Sequence, residues 1–180
     1  MALIILAFSL LLSGCVSRTE EQLYARQEEF SQSALSFSTR VCAVCDGEAW
    51  EFSAAVEADG PEGSMRLSAP ELLRDVTLRW GAETGMEYGD VVMALPDLNE
   101  EGLSPASVLP LFCEVLQRGW LLRYRQDREG VTAFYGLNNK NEMAVRYDTD
   151  WTPRFLEYYV GGERRMWAEI TDFHTGEKQT

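Results

Sequence analysis

The chain predicts a mainly β, α+β domain: an antiparallel sheet with one dry face and one wet face, covered by helix. Three observations carry this. From Leu35 onward apolar residues recur at every second position, the side-chain period of a strand. The alternating runs are short and separated by Gly-, Pro-, Asn- and Asp-rich turns, as in a meander of hairpins. One stretch, 107–118, has the helical period instead and is apolar over a broad face.

The elements follow in order. Thr19-Glu20-Glu21-Gln22 fits a capping box with acids in the first turn, so a helix runs from about Glu20 to Ser31. Its stripe of Leu23, Tyr24, Phe30 and Ala34 is thin, which fits a docked helix and a solvated tether helix alike. Leu35, Phe37, Thr39 and Val41 then alternate as far as the Asp46-Gly47 turn. Trp50, Phe52, Ala54 and Val56 alternate as far as Asp59-Gly60-Pro61-Glu62-Gly63. Met65 and Leu67 make a short strand stopped by Pro70, and Val76, Leu78 and Trp80 make the next. After a turn at 81–85, Met86 to Leu95 reads as a strand run that carries a bend or a tight turn at Tyr88-Gly89-Asp90, followed by an acidic loop at 96–102.

In the helix, Ser107 can cap, Val108 is the first helical residue, and Pro110 falls where its missing N–H is unpaired anyway. Val108, Leu111, Phe112, Val115 and Leu116 form the face that must be covered, Arg118 suits the last turn, and Gly119 suits the left-handed C′ position. The second meander begins with Trp120, Leu122 and Tyr124 pointing inward and Arg123 and Arg125 outward. Strands follow at 131–137, 143–147, 154–160 and 164–173, with Gly161-Gly162 as a hairpin turn and residues after His174 as a tail.

The formal net charge is −13, from 16 basic and 29 acidic side chains. That balance argues against nucleic acid as a partner, because phosphates call for a basic surface. Four cysteines occur: Cys15, Cys42, Cys45 and Cys113. Cys42 and Cys45 have CxxC spacing, but they lie in a strand-like run where side chains three apart point to opposite faces. Only one histidine, His174, could add a nitrogen ligand, so no metal site and no cofactor is expected. Buried thiols or a structural disulfide account for the later three. No GxSxG, HExxH or Walker loop occurs, so no catalytic residue is assigned and the chain is not read as an enzyme.

The N-terminus says where the chain sits. An uncharged apolar run, Ala2 to Leu12, ends in Leu12-Ser13-Gly14-Cys15. It is shorter than the ~20 residues that a membrane-spanning helix needs. It resembles a bacterial lipoprotein signal peptide, which implies cleavage after residue 14 and acylation of Cys15. The expected organisation is signal peptide 1–14, lipidated Cys15 with a tether and helix to 33, a β domain 34–174 with its helix at 107–118, and a tail 175–180. Residues 1–14 carry no charged side chain, so the net charge stays with the exported domain, which is expected on the extracytoplasmic face of the cell membrane.

The order of these parts resembles the lipoprotein-carrier superfamily, the LolA/LolB-like domains, and looks closest to the Firmicutes lipoproteins of the GerS germination type. The matching segments are Ser68-Ala69-Pro70-Glu71-Leu72, Ser104-Pro105-Ala106-Ser107-Val108-Leu109-Pro110, the Pro153 strand and Ile170-Thr171-Asp172-Phe173. The resemblance implies a curved, unclosed half-barrel with a helix or two packed on the concave face, able to hold acyl chains. It carries over no catalytic residue. The implied function is a non-catalytic binding module for acyl chains or an envelope protein. The alternative is a structural or regulatory partner of an envelope (cell-wall) enzyme, with a filled core and no ligand. Candidate lining residues are Trp50, Phe52, Trp80, Phe112, Trp120 and Tyr124, for each of which plain core packing is the competing reading.

Overall fold

A computed structural model describes residues 17–45, 48–82, 84–94, 105–138 and 140–178. The signal segment, Cys15, the Asp46-Gly47 turn and the acidic loop at 96–102 lie outside the described residues. Among the described residues two α-helices, α1 (Arg18–Ser31) and α2 (Pro105–Arg118), accompany eleven strands. The strands are β1 (Ser33–Cys45), β2 (Glu48–Asp59), β3 (Glu62–Ala69), β4 (Thr77–Trp80), β5 (Gly85–Tyr88), β6 (Val91–Ala94), β7 (Trp120–Asp127), β8 (Gly130–Gly136), β9 (Asn141–Tyr147), β10 (Pro153–Val160) and β11 (Glu163–Glu177).

They form one antiparallel sheet in the order β6-β5-β4-β3-β2-β1-β11-β10-β9-β8-β7. The chain walks outward from β1 to β6, crosses through α2 to the far edge at β7, and walks back until β11 zips onto β1. The first and last strands are therefore central, and among the described residues β6 and β7 are the edge strands. The fold is mainly β and unclosed, as the periodicity and the resemblance predict.

Strand alternation separates the faces. On β1, Leu35, Phe37, Thr39, Val41 and Ala43 are buried, while Ser36, Ser38, Arg40, Cys42 and Val44 point outward. Each large apolar side chain fully buried in this way contributes ~1.5–3 kcal/mol. Phe37 meets Phe112 of α2 edge-to-face at 5.5 Å, and Phe173 of β11 meets Phe30 of α1 at 5.5 Å, so both helices lie on the inner face.

α1 starts earlier than the capping box at Thr19 suggests. Ser17 is the cap, its Oγ accepting from the Glu20 N–H at 3.1 Å. Thr19 instead donates to Gln126 Oε1 of β7 at 2.9 Å. Leu23 and Phe30 are buried, so α1 is docked rather than a solvated tether.

α2 also starts earlier, at Pro105, whose lost N–H matters little at the first helical position. Pro110 consequently sits inside the helix. Beyond the expected face, Leu109 and Cys113 are also buried. Gly119 is not a left-handed cap. It is small because a Cβ there would meet Val115 O at 2.6 Å and Tyr135 Cδ1 at 2.9 Å. The carbonyls at this end are served by α1, where Gln27 Nε2 donates to Gly119 O at 2.8 Å and Val115 O at 3.3 Å.

Of the bend and the tight turn that the sequence allows at Tyr88-Gly89-Asp90, the structure has the tight turn, with Gly89 at φ 58°, and it divides the run into β5 and β6. Two strand expectations need correction. Residues 175–177 are not tail, since Leu35, Ala34 and Ser33 pair with Thr175, Gly176 and Glu177. On β7 the register shifts between Leu121 and Arg123: Leu121 pairs with Tyr135, and Arg123 with Phe134. That bulge puts Leu121 and Tyr124 on the inner face and turns Trp120, opposite Gly136, to the outer face.

Candidate functional site

α2 sends Val108, Phe112, Val115 and Leu116 into the core. The neighbouring row of Leu111, Glu114 and Arg118, with Pro110 and Gln117, flanks that face, because residues three and four apart share a side of a helix. This flank looks onto the ends of β2–β5, and between them lies a cavity of ≈ 240 Å³. Its sheet side is Gly60 and Pro61 from the β2–β3 turn, Trp80 and Gly81 at the end of β4, and Thr84.

Two glycines shape this wall. Trp80 pairs with Gly63, and a Cβ on Gly63 would fall 2.2 Å from Trp80 Cζ2, so the indole lies across the bare backbone. Gly81, at φ 120°, passes so close to Glu62 that a Cβ would meet its Cα at 2.9 Å. Pro61, Trp80, Pro110 and Leu111 give the cavity apolar surface. At the rim Arg118 pairs with Glu114 at 3.1 Å. Gln117 Nε2 is buried and has no hydrogen-bond partner. A buried amide N–H pair without an acceptor is costly, about 1–3 kcal/mol, and marks a place where an acceptor belongs.

The sequence candidates are distributed as follows. Trp80 is half-buried and lines the cavity. Phe112 is fully buried and is core, not wall. Phe52 pairs with Val41 on the inner face and is half-buried, and Trp50, opposite Ala43, shares that face yet is 55% exposed beyond the helices. Tyr124 is inward and half-buried, its hydroxyl hydrogen-bonded to Ser17. Trp120 is a correction: it is 76% exposed on the outer face, because the β7 bulge inverts the strand's pattern at that point. Gln117, Pro61, Gly81 and Thr84 were not expected in the site. Gln117 could have been found from its spacing to Leu111 and Glu114 on the helix flank; the two turns carry no such signal.

Among the described residues no group of three or more His, Cys, Asp or Glu could hold a metal ion. Cys42 faces outward and Cys113 is buried in α2; both are free thiols, and burial pushes Cys113 up to about 12. On the outer face a second hollow of ≈ 590 Å³ has an ion pair in its wall. There Arg123 holds Glu142 through two bonds of 3.0 and 2.7 Å and lies 4.2 Å over the Phe134 ring. No helix of the described residues is long and apolar enough to cross a membrane.

No family model matches this chain, and no curated protein matches it by sequence. Solved structures do resemble it in fold. A LolA superfamily protein from Nitrosomonas europaea aligns at TM-score 0.47 and 10% identity, covering 91% of this chain and 95% of that one. An uncharacterized conserved protein from Thermus thermophilus aligns at TM-score 0.49 and 11% identity, over 90% of each chain. The MucA/MucB complex of Pseudomonas aeruginosa aligns at TM-score 0.43 and 10% identity, over 91% of this chain and 59% of that one.

Proposed function

We propose that the chain is a lipid-anchored, extracytoplasmic binding module of the LolA-like kind, nearest the GerS type, without a catalytic role, and that it takes the end of an acyl chain into the cavity beside α2. The observation that carries this is the pairing of a partly apolar wall, made by Trp80, Pro61, Pro110 and Leu111, with the unpartnered Gln117 amide. An acyl ester or amide supplies both complements: a hydrocarbon end for Trp80, Pro61 and Leu111, and a carbonyl oxygen to accept from Gln117 Nε2. At ≈ 240 Å³ the space exceeds the ~150 Å³ apolar cavity that admits benzene and falls short of the ~300 Å³ lower bound of drug-sized pockets. One chain end fits better than a whole lipid.

The test is a fluorescent fatty-acid titration of the purified chain and of Leu111→Trp. Saturable binding by the parent and loss in the variant support the reading; a parent that takes up no probe overturns it. Anchoring is tested separately. Cys15→Ser should leave the membrane fraction or persist as uncleaved precursor, since the acidic domain offers little other hold on a bilayer.

A second reading has its own observation. β6 is an open edge whose Val91, Val92 and Met93 are 58%, 72% and 46% exposed. An envelope protein could add a strand there through backbone hydrogen bonds. An envelope protein co-purifying in equal amount, and lost on Val92→Lys, would favour this partner role.

A further inference from the structure

We infer that the β7 edge is the side of the domain that lies against the bilayer, with Arg18, Arg125 and Arg128 on anionic lipid headgroups; this rests on the lipid-anchor reading above.

The start of α1 is held to β7 at two points. The Ser17 hydroxyl is hydrogen-bonded to Tyr124, and Thr19 Oγ1 donates to Gln126. Only Val16 separates Ser17 from Cys15, so the two α-carbons are at most about 7 Å apart. The headgroup layer on one side of a bilayer is itself roughly 5–8 Å deep. A lipid on Cys15 therefore keeps the middle of β7 at headgroup level and leaves the domain little freedom to present another surface.

Charge agrees with this placement. Arg18 adjoins Ser17, Arg125 adjoins Tyr124, and Arg128 sits in the turn that ends β7; all three are exposed and make no ion pair with a described residue. Every other described arginine is paired with Asp or Glu, from Arg26 with Glu29 to Arg165 with Glu163. In a chain of net charge −13, the uncommitted guanidiniums thus gather where the N-terminus is pinned. The acids of the same elements are Glu20 and Glu21 in the first turn of α1, Glu28 and Glu29 near its far end, where Glu29 pairs with Arg26, and Asp127 and Glu129 at the end of β7. Asp127 accepts the Glu129 N–H, and Glu129 pairs with Arg146. The same strand turns Trp120 and Leu122 outward, 76% and 48% exposed. An exposed indole on the same edge strand, roughly 16 Å along it from Arg125, suits the boundary between headgroups and acyl chains.

The experiment uses the intact lipoprotein in vesicles of 30% phosphatidylglycerol in phosphatidylcholine, read by amide hydrogen exchange against pure phosphatidylcholine vesicles. Exchange in 17–22 and 120–128 should slow on the order of tenfold in the anionic vesicles, with 62–80 unchanged. Arg18→Gln with Arg125→Gln and Arg128→Gln should remove that difference while circular dichroism shows the fold retained. The intact mass reports acylation of Cys15 in the same sample. An acylated protein protected elsewhere, or equally in both vesicles, overturns this orientation and leaves the anchor standing. An unmodified Cys15 overturns both.

Discussion

Gly63 and Trp80 face one another across β3 and β4, and the indole occupies the space where any side chain on Gly63 would stand, 2.2 Å from Cζ2 to an added Cβ. The pair decides the shape of the cavity wall. Gly63→Ala should push the ring off its seat, destabilise the domain by ~1–3 kcal/mol and weaken acyl-probe uptake. Urea melts and the fatty-acid titration check the two effects together. An unchanged midpoint would mean that the ring moves freely.

Val115 and Leu111 should respond oppositely to enlargement. Val115 is 2% exposed in the packed part of the interface, so Val115→Trp should lose ~1–3 kcal/mol by overpacking. Leu111 borders the cavity, so Leu111→Trp should keep a midpoint near the parent's while blocking the probe. Paired melts of the two variants locate the free space directly.

Phe112 and Trp120 make a second contrast. Phe112→Ala should cost ~3–5 kcal/mol, because the ring is fully buried against Phe37. Trp120→Ala should stay within ~0.5 kcal/mol, the range for exposed positions, despite the larger ring. Comparable shifts in urea would contradict the bulge in β7.

Asp148 gives the domain a pH dependence. Burial pushes its carboxyl up, but the Thr152 N–H at 3.0 Å, Arg154 at 2.7 Å and the Asp150 N–H at 2.9 Å outweigh that and hold it below the ordinary aspartate value. A folded value below the unfolded ~3.9 means the stabilisation is present above that pH and is lost as pH falls through the folded value. Asp148→Asn should therefore lose about 1 kcal/mol at neutral pH, a difference that fades once the parent carboxyl is protonated. Urea midpoints of both proteins at neutral pH and near pH 2 check it; a constant difference would mean that charge plays no part.

The sequence by itself determined the alternation that makes the strands, the turns that end most of them, and the apolar face of α2. Each of these depends on neighbours along the chain, and the side-chain periods of strand and helix are visible there. It also determined that the face of Val108, Leu111, Phe112, Val115 and Leu116 has to be covered; four of these are buried against the sheet, and Leu111 lies half-buried on the flank beside the cavity. Only the tertiary structure decided where periodicity breaks. The capping-box pattern points to Thr19, but the cap in the fold is Ser17, while Thr19 takes Gln126, 107 residues away. Trp120 obeys the strand period in the sequence and violates it in the fold, because a bulge opposite Tyr135 and Phe134 is set by pairing with β8 and leaves no mark in β7 itself. The cavity likewise exists only where the flank of α2 meets two turns distant in sequence, and a space between non-adjacent segments has no local pattern to announce it.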